Sequence, residues 1–100
     1  MFKGTTPTHT FNVSIDTSIL KEVKIIYSQN DREVLTKRLK DCVLGEGTIT
    51  TSLTQEETFL FESGKFVSIQ VRVLTDRGDA LTSEQMMLSV AKCFDDEVLV

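Results

Sequence analysis

One hundred residues suffice for one hydrophobic core but not for a core plus an independent second unit, so a single domain over residues 1–100 is expected. With 40% hydrophobic and 26% charged residues the composition is that of an ordinary globular protein, and no apolar run approaches the ~20 residues of a membrane-spanning helix. Eleven basic against 15 acidic residues leave a net charge of −4, which argues against general nucleic-acid binding, because neutralising phosphates needs a positive surface.

The opening MFKGTTPTHT has one lysine and no apolar stretch after it, unlike a secretory signal, so cytoplasmic synthesis is expected. Residues 1–8 read as a flexible leader, and His9 as an exposed residue of the same polar run. A period of two then begins, with Phe11, Val13 and Ile15 on one side and Thr10, Asn12 and Ser14 on the other. LKEVKIIYSQ repeats it with Val23, Ile25 and Tyr27, and its β-branched residues suit a pleated sheet. Asn30 and Asp31 tolerate left-handed backbone, so a tight turn should return the chain through EVLTKRLKD as a hairpin. Within that return, Lys37 to Lys40 read as the solvated end of a strand, with a local basic face as the alternative; Glu33 and Lys37, four apart, leave a helix as the alternative to the strand itself.

Gly45 and Gly47 mark a turn between two short extended pieces, the second carrying Ile49 and Leu53. The alternation then stops at SLTQEETFLF. Thr54 can cap a helix and Glu57 can reach back to it, a T-x-x-E capping box, and Gly64 follows too soon for a long helix. One or two helical turns near residues 54–59 are predicted, with Phe59 and Phe61 directed at the core. KFVSIQVRVLT is the clearest strand, and Asp76 to Asp79 should close a hairpin with Gly78 at positive φ. The return through ALTSEQMMLSVAKC places Met86, Leu88 and Val90 on one side; a short helix from Ser83 to Met87 is the alternative. The tail FDDEVLV should pair as a last edge segment or meet another subunit.

Short strands with turn signals every eight to twelve residues or so predict an all-β fold, an antiparallel immunoglobulin-like β-sandwich of about seven strands. Thr54 to Phe61 would then be the corner where the chain crosses from one sheet to the other.

Chemical motifs are scarce. A lone His9 excludes a Ser-His-Asp triad and an imidazole metal cluster, and the carboxylates Glu56 and Glu57, Asp76 and Asp79, and Asp95 to Glu97 are tied to no pocket motif. Gly45 and Gly47 make a bare G-x-G without a following helix. Cys42 and Cys93 are too few and too far apart for paired metal ligands, and read as reduced and partly buried. Arg77, Gly78 and Asp79 spell an integrin-recognition tripeptide, yet a turn selects Gly and Asp for backbone reasons alone. No catalytic, cofactor or metal residue is assigned, and a non-enzymatic protein is expected.

The run Leu53 to Glu84 resembles small prophage-encoded proteins of Gram-positive bacteria and, more distantly, the amino-terminal domain of upper baseplate proteins of long-tailed phages. The resemblance rests on Leu53, Thr54, Glu56, Glu57, Thr58 and Gly64, followed by Ile69, Gln70, Arg72, Val73 and Gly78. It implies an immunoglobulin-like sandwich in a virion, without catalytic residues to carry over. The expectation that follows is a phage or prophage structural protein, a tail or baseplate component with protein partners and a possible homo-oligomer, made in the cytoplasm and then packed into the virion, with no nucleic acid, membrane or cofactor. A small carbohydrate- or peptide-binding β-sandwich module is the alternative.

Overall fold

The period-two runs become strands, and the capped stretch becomes a helix. A computed structural model describes all of residues 1–100, with the elements β1 (Thr8–Asn12), β2 (Leu20–Gln29), β3 (Arg32–Arg38), β4 (Cys42–Gly45), β5 (Thr48–Ser52), α1 (Gln55–Thr58), β6 (Phe66–Thr75), β7 (Ala80–Thr82) and β8 (Met86–Ser89). One sheet has the order β1-β5-β4 and the other β3-β2-β6-β7, with β8 also on β6; every pairing is antiparallel. In immunoglobulin terms β1, β5 and β4 stand as B, E and D, and β3, β2, β6 and the β7–β8 pair as C′, C, F and G.

The return from β6 is a strand, as read from its alternation, but it is split in two. β7 pairs with Arg72 to Leu74 and β8 with Phe66 to Ile69. Between them Ser83 N donates to Val71 O at 2.8 Å, and its Oγ accepts from Val71 N at 2.9 Å. A side-chain oxygen thus replaces a carbonyl of the ladder, and the strand resumes after it. This raises the strand count to eight.

Turn chemistry sets the hairpins. Asn30 and Asp31 both take positive φ, 52° and 60°, the pair of left-handed residues that a two-residue hairpin matching strand twist requires. Gly78, at φ 87°, closes the β6–β7 turn.

The corner is where the sequence places it. β5 lies in the three-stranded sheet and β6 in the five-stranded one, and the chain changes layer between Ser52 and Phe66. Thr54 Oγ1 accepts from Glu57 N at 3.2 Å while Glu57 Oε1 accepts from Thr54 N at 2.8 Å, which completes the capping box. Leu53 and Phe61 are buried beside it and Phe59 is half-buried. The exit is held by the Gln29 amide, which donates to Glu62 O at 2.9 Å and accepts from Glu62 N at 2.8 Å, as a neighbouring strand would.

The leader expectation is corrected, as is the strand-pairing alternative for the tail. Residues 1–8 are not a free leader: Met1 N donates to Ser89 O (2.7 Å), Lys3 N to Ala91 O (3.1 Å) and Gly4 N to Thr58 Oγ1 (2.9 Å), Phe2 bridges Ala91 in parallel, and Thr8 already belongs to β1. A polar run still has backbone groups to satisfy, and here they extend the end of the five-stranded sheet. The tail from Phe94 onward forms no strand; the Gln55 amide donates to Leu99 O and accepts from Leu99 N, both at 2.8 Å, and Phe94 stays fully exposed.

The core fills the space between the sheets with Val23, Ile25 and Tyr27 of β2, Val67 to Val73 of β6, Ile49 of β5 and Phe11 of β1. Extents of 46 × 30 × 16 Å make a thin molecule, and only 19 residues are buried, so few side chains carry the apolar gain and the corner cannot be dispensed with. Thr54→Ala is expected to cost about 1 kcal/mol, read as a lower urea midpoint with an unchanged slope.

Candidate functional site

Ionisable side chains from five elements meet at the corner end of the interior. Lys37 lies opposite Ile25, turns inward and is buried; its Nζ is 2.7 Å from each Glu57 oxygen. Burial alone would raise the Glu57 carboxyl, but the hydrogen bonds from Lys37 and Thr54 outweigh it and hold it below the usual carboxylate range. Tyr27, fully buried, meets His9 Nδ1 at 2.7 Å through its hydroxyl, with the two rings stacked at 5.7 Å and Phe61 tilted against the Tyr27 ring at 6.0 Å. Burial first, then the nearby Cys42 and Glu57, push Tyr27 far above the ordinary tyrosine range, and burial lowers His9. A neutral phenol therefore shares a hydrogen bond with a neutral imidazole, the imidazole tautomer setting which of the two donates. Burial likewise raises the Cys42 thiol, whose Sγ sits 3.2 Å from Arg38 O.

This cluster is a strut. Each group is buried or paired within the cluster, and none of His9, Tyr27, Lys37, Cys42 or Glu57 lines a main surface hollow. Two readings are corrected here. Lys37 is not on the solvated end of its strand, although Arg38 and Lys40 are exposed, and His9 is half-buried on Tyr27. Phase held the signal for both: His9 alternates in step with Phe11 and Val13, and Lys37 with Leu35.

The remaining motif residues stay apart. Cys42 and Cys93 are free thiols, and no group of three or more His, Cys, Asp or Glu side chains is placed to hold a metal ion. Arg77 to Asp79 form the β6–β7 turn, where Thr75 O accepts from Gly78 N at 3.0 Å and Thr75 Oγ1 from Asp79 N at 3.1 Å.

The outer faces of the two sheets differ in chemistry. On the three-stranded sheet, Thr8 meets Ser52 and Thr10 meets Thr50 through hydroxyl pairs at 2.9 and 3.1 Å, a face without charge. On the five-stranded sheet, Lys24 stands in register between Arg38 on β3 and Arg72 on β6. None of the three takes part in an ion pair, since the two salt bridges are Lys37–Glu57 and Lys65–Glu62, and Glu22 is the one acid lining the hollow beside them. Like charges directly opposite one another on a sheet destabilise it, so this row is a standing cost in the isolated chain. Towards the other end the same face holds a shallow trough of about 570 Å³ with Ile26, Ser68 and Gln70 on its floor and Phe66 and Met87, 63% and 60% exposed, at its side.

Set against known proteins, the chain matches no family model, no curated protein and no solved structure. No helix is long and apolar enough to cross a membrane.

The polar strut generates a prediction with a defined pH window. Glu57→Gln leaves the Lys37 ammonium without its counter-charge and is expected to cost roughly 2 kcal/mol, below the ~3–5 of a fully buried pair because Glu57 retains some solvent. His9 has a folded value below its ordinary 6.5, so its contribution is complete above that pH and is lost as pH falls from there through the folded value. Glu57 behaves likewise below 4.5. Urea midpoints should decline from pH 7 to 5 in the natural chain and decline less in His9→Gln; identical slopes would count against the Tyr27–His9 account.

Proposed function

We propose that the chain is a non-enzymatic structural protein of a phage or prophage, a tail or baseplate component that docks onto a protein partner through the outer face of its five-stranded sheet. The observation that carries this reading is the unpaired Arg38–Lys24–Arg72 row on the same face as Phe66 and Met87. An acidic partner surface offsets the repulsion within the row, and exposed Phe, Met and Arg are side chains that protein interfaces favour. The resemblance over Leu53 to Glu84 supports the viral setting. Ionisable side chains that are packed together away from the main surface hollows support a role without catalysis. One row of three cations on an acidic chain is a small footprint for a phosphate backbone, which favours protein over nucleic acid. Synthesis in the cytoplasm is followed by packing into the particle.

The trough favours one second reading, a small carbohydrate- or peptide-binding module, because an aromatic ring beside side-chain amides is what a sugar or an extended peptide meets. Prophage induction followed by particle purification separates the two. The natural chain is expected in the particle fraction, and an Arg38→Glu, Arg72→Glu variant with unchanged circular dichroism is expected there at about a tenth of that level or less. Particles devoid of the chain, together with a reproducible glycan-array ligand, would replace the assembly reading with the second one.

A further inference from the structure

We infer that two copies of the chain pair through β1, edge to edge and antiparallel, about a two-fold axis at Thr10. The inference rests on the reading of the chain as an assembly part, and adds to it which surface a second copy takes.

β1 has a single neighbour, β5. Leu53 N donates to Pro7 O and Val13 N to Gly47 O, and the alternation between these two bonds turns the backbone groups of His9 and Phe11 towards β5. Those of Thr8, Thr10 and Asn12 therefore point to the open side, and none of them makes a backbone bond there.

The other sheet edges are guarded and this one is not. β3 carries Arg32, Glu33 and Arg38 and turns Lys37 inward. β4 is four residues long with Asp41 and Glu46 at its ends. The β7–β8 edge is interrupted at Ser83, and its far end is covered by Met1 and Lys3. From Thr5 to Ile15 no residue is charged, and the single proline, Pro7, precedes the strand. Short length, charge and interruption are the devices that keep strand edges apart, and β1 has only modest length among them.

Charge decides for a second copy over an acidic or basic stranger. A neutral edge brings no repulsion to its own image, whereas elsewhere the chain carries a net −4. With the axis at Thr10, Thr8 faces Asn12 of the other copy and Thr10 faces Thr10, so the open groups of each edge find partners in about six hydrogen bonds. The two three-stranded sheets become one continuous sheet. Beside β1, a cleft between the layers leaves Val13, Ile15, Leu81 and Met86 accessible, with Leu81 and Met86 45% and 37% exposed, and Glu84 is the one charged residue that lines it. The two-fold axis sets this cleft against its counterpart and covers both.

Sedimentation velocity of the full chain should give a species of doubled mass that dissociates on dilution. Thr10→Lys, which sets two ammonium groups together on the axis, and Thr10→Pro, which removes an N–H unused within the chain, should each return the monomer with unchanged circular dichroism. Register is tested by cysteine. Facing Cα atoms in such a pair lie about 5.5 Å apart, within disulfide reach, so Thr10→Cys should cross-link to itself on mild oxidation while Asn12→Cys should not, with Cys42 and Cys93 present in both. A monomer at up to about 1 mM overturns the inference, as does a dimer that survives both substitutions or cross-links equally from both positions. If that monomeric chain is still found in particles, the pairing fails and the assembly reading stands.

Discussion

The ion pair between Lys37 and Glu57 is the contact on which the arrangement of the two layers depends. Glu57 serves twice, since the oxygen that accepts from Thr54 N and completes the helical turn also accepts from Lys37 Nζ. The cap that forms the corner is thus the same group that anchors the corner to β3. Its neighbour along the interior, Tyr27 against His9, ties β2 to β1 across the gap between the sheets. In a molecule 16 Å thick, apolar packing holds the layers together but does not define how they sit, and directional polar contacts supply that definition.

The alternations at Phe11 to Ile15, Val23 to Tyr27 and Val67 to Val73 were legible because each strand buries one face and leaves the other wet. The corner was legible because a capping box is a local event, four residues long. His9 and Lys37 were misplaced because their polarity points to solvent, while the groups that make burial tolerable lie 18 and 20 residues further along the chain. Ser83 standing in for a carbonyl, and Gln29 and Gln55 for whole strands, are likewise tertiary substitutions for backbone pairing, and composition carries no mark of them. The candidate docking face was the least legible feature. Lys24, Arg38 and Arg72 are scattered through the sequence and become a row only when β2 pairs with β3 on one side and β6 on the other.

That row and the buried pair put basic side chains to opposite uses. Lys37 gives up solvation and is compensated by a carboxylate at 2.7 Å, so its charge is committed within the chain and would be left unpaired without Glu57. Arg38, one residue later on the other face, keeps its solvation and has no acidic partner in the chain, so it leaves the cationic surface available. Strand alternation alone separates the two roles.

The hydroxyl pairs of Thr8 with Ser52 and Thr10 with Thr50 give the three-stranded sheet a neutral exterior, in contrast to the cationic exterior of the other. Dissolved ions act on the two very differently. At physiological ionic strength charges are screened beyond about 8 Å, so raising the salt weakens attraction to the cationic side while a ladder of backbone bonds on the neutral side is nearly indifferent to it. Salt would therefore loosen a partner held on the cationic side of this thin plate and leave a pairing through the neutral side in place.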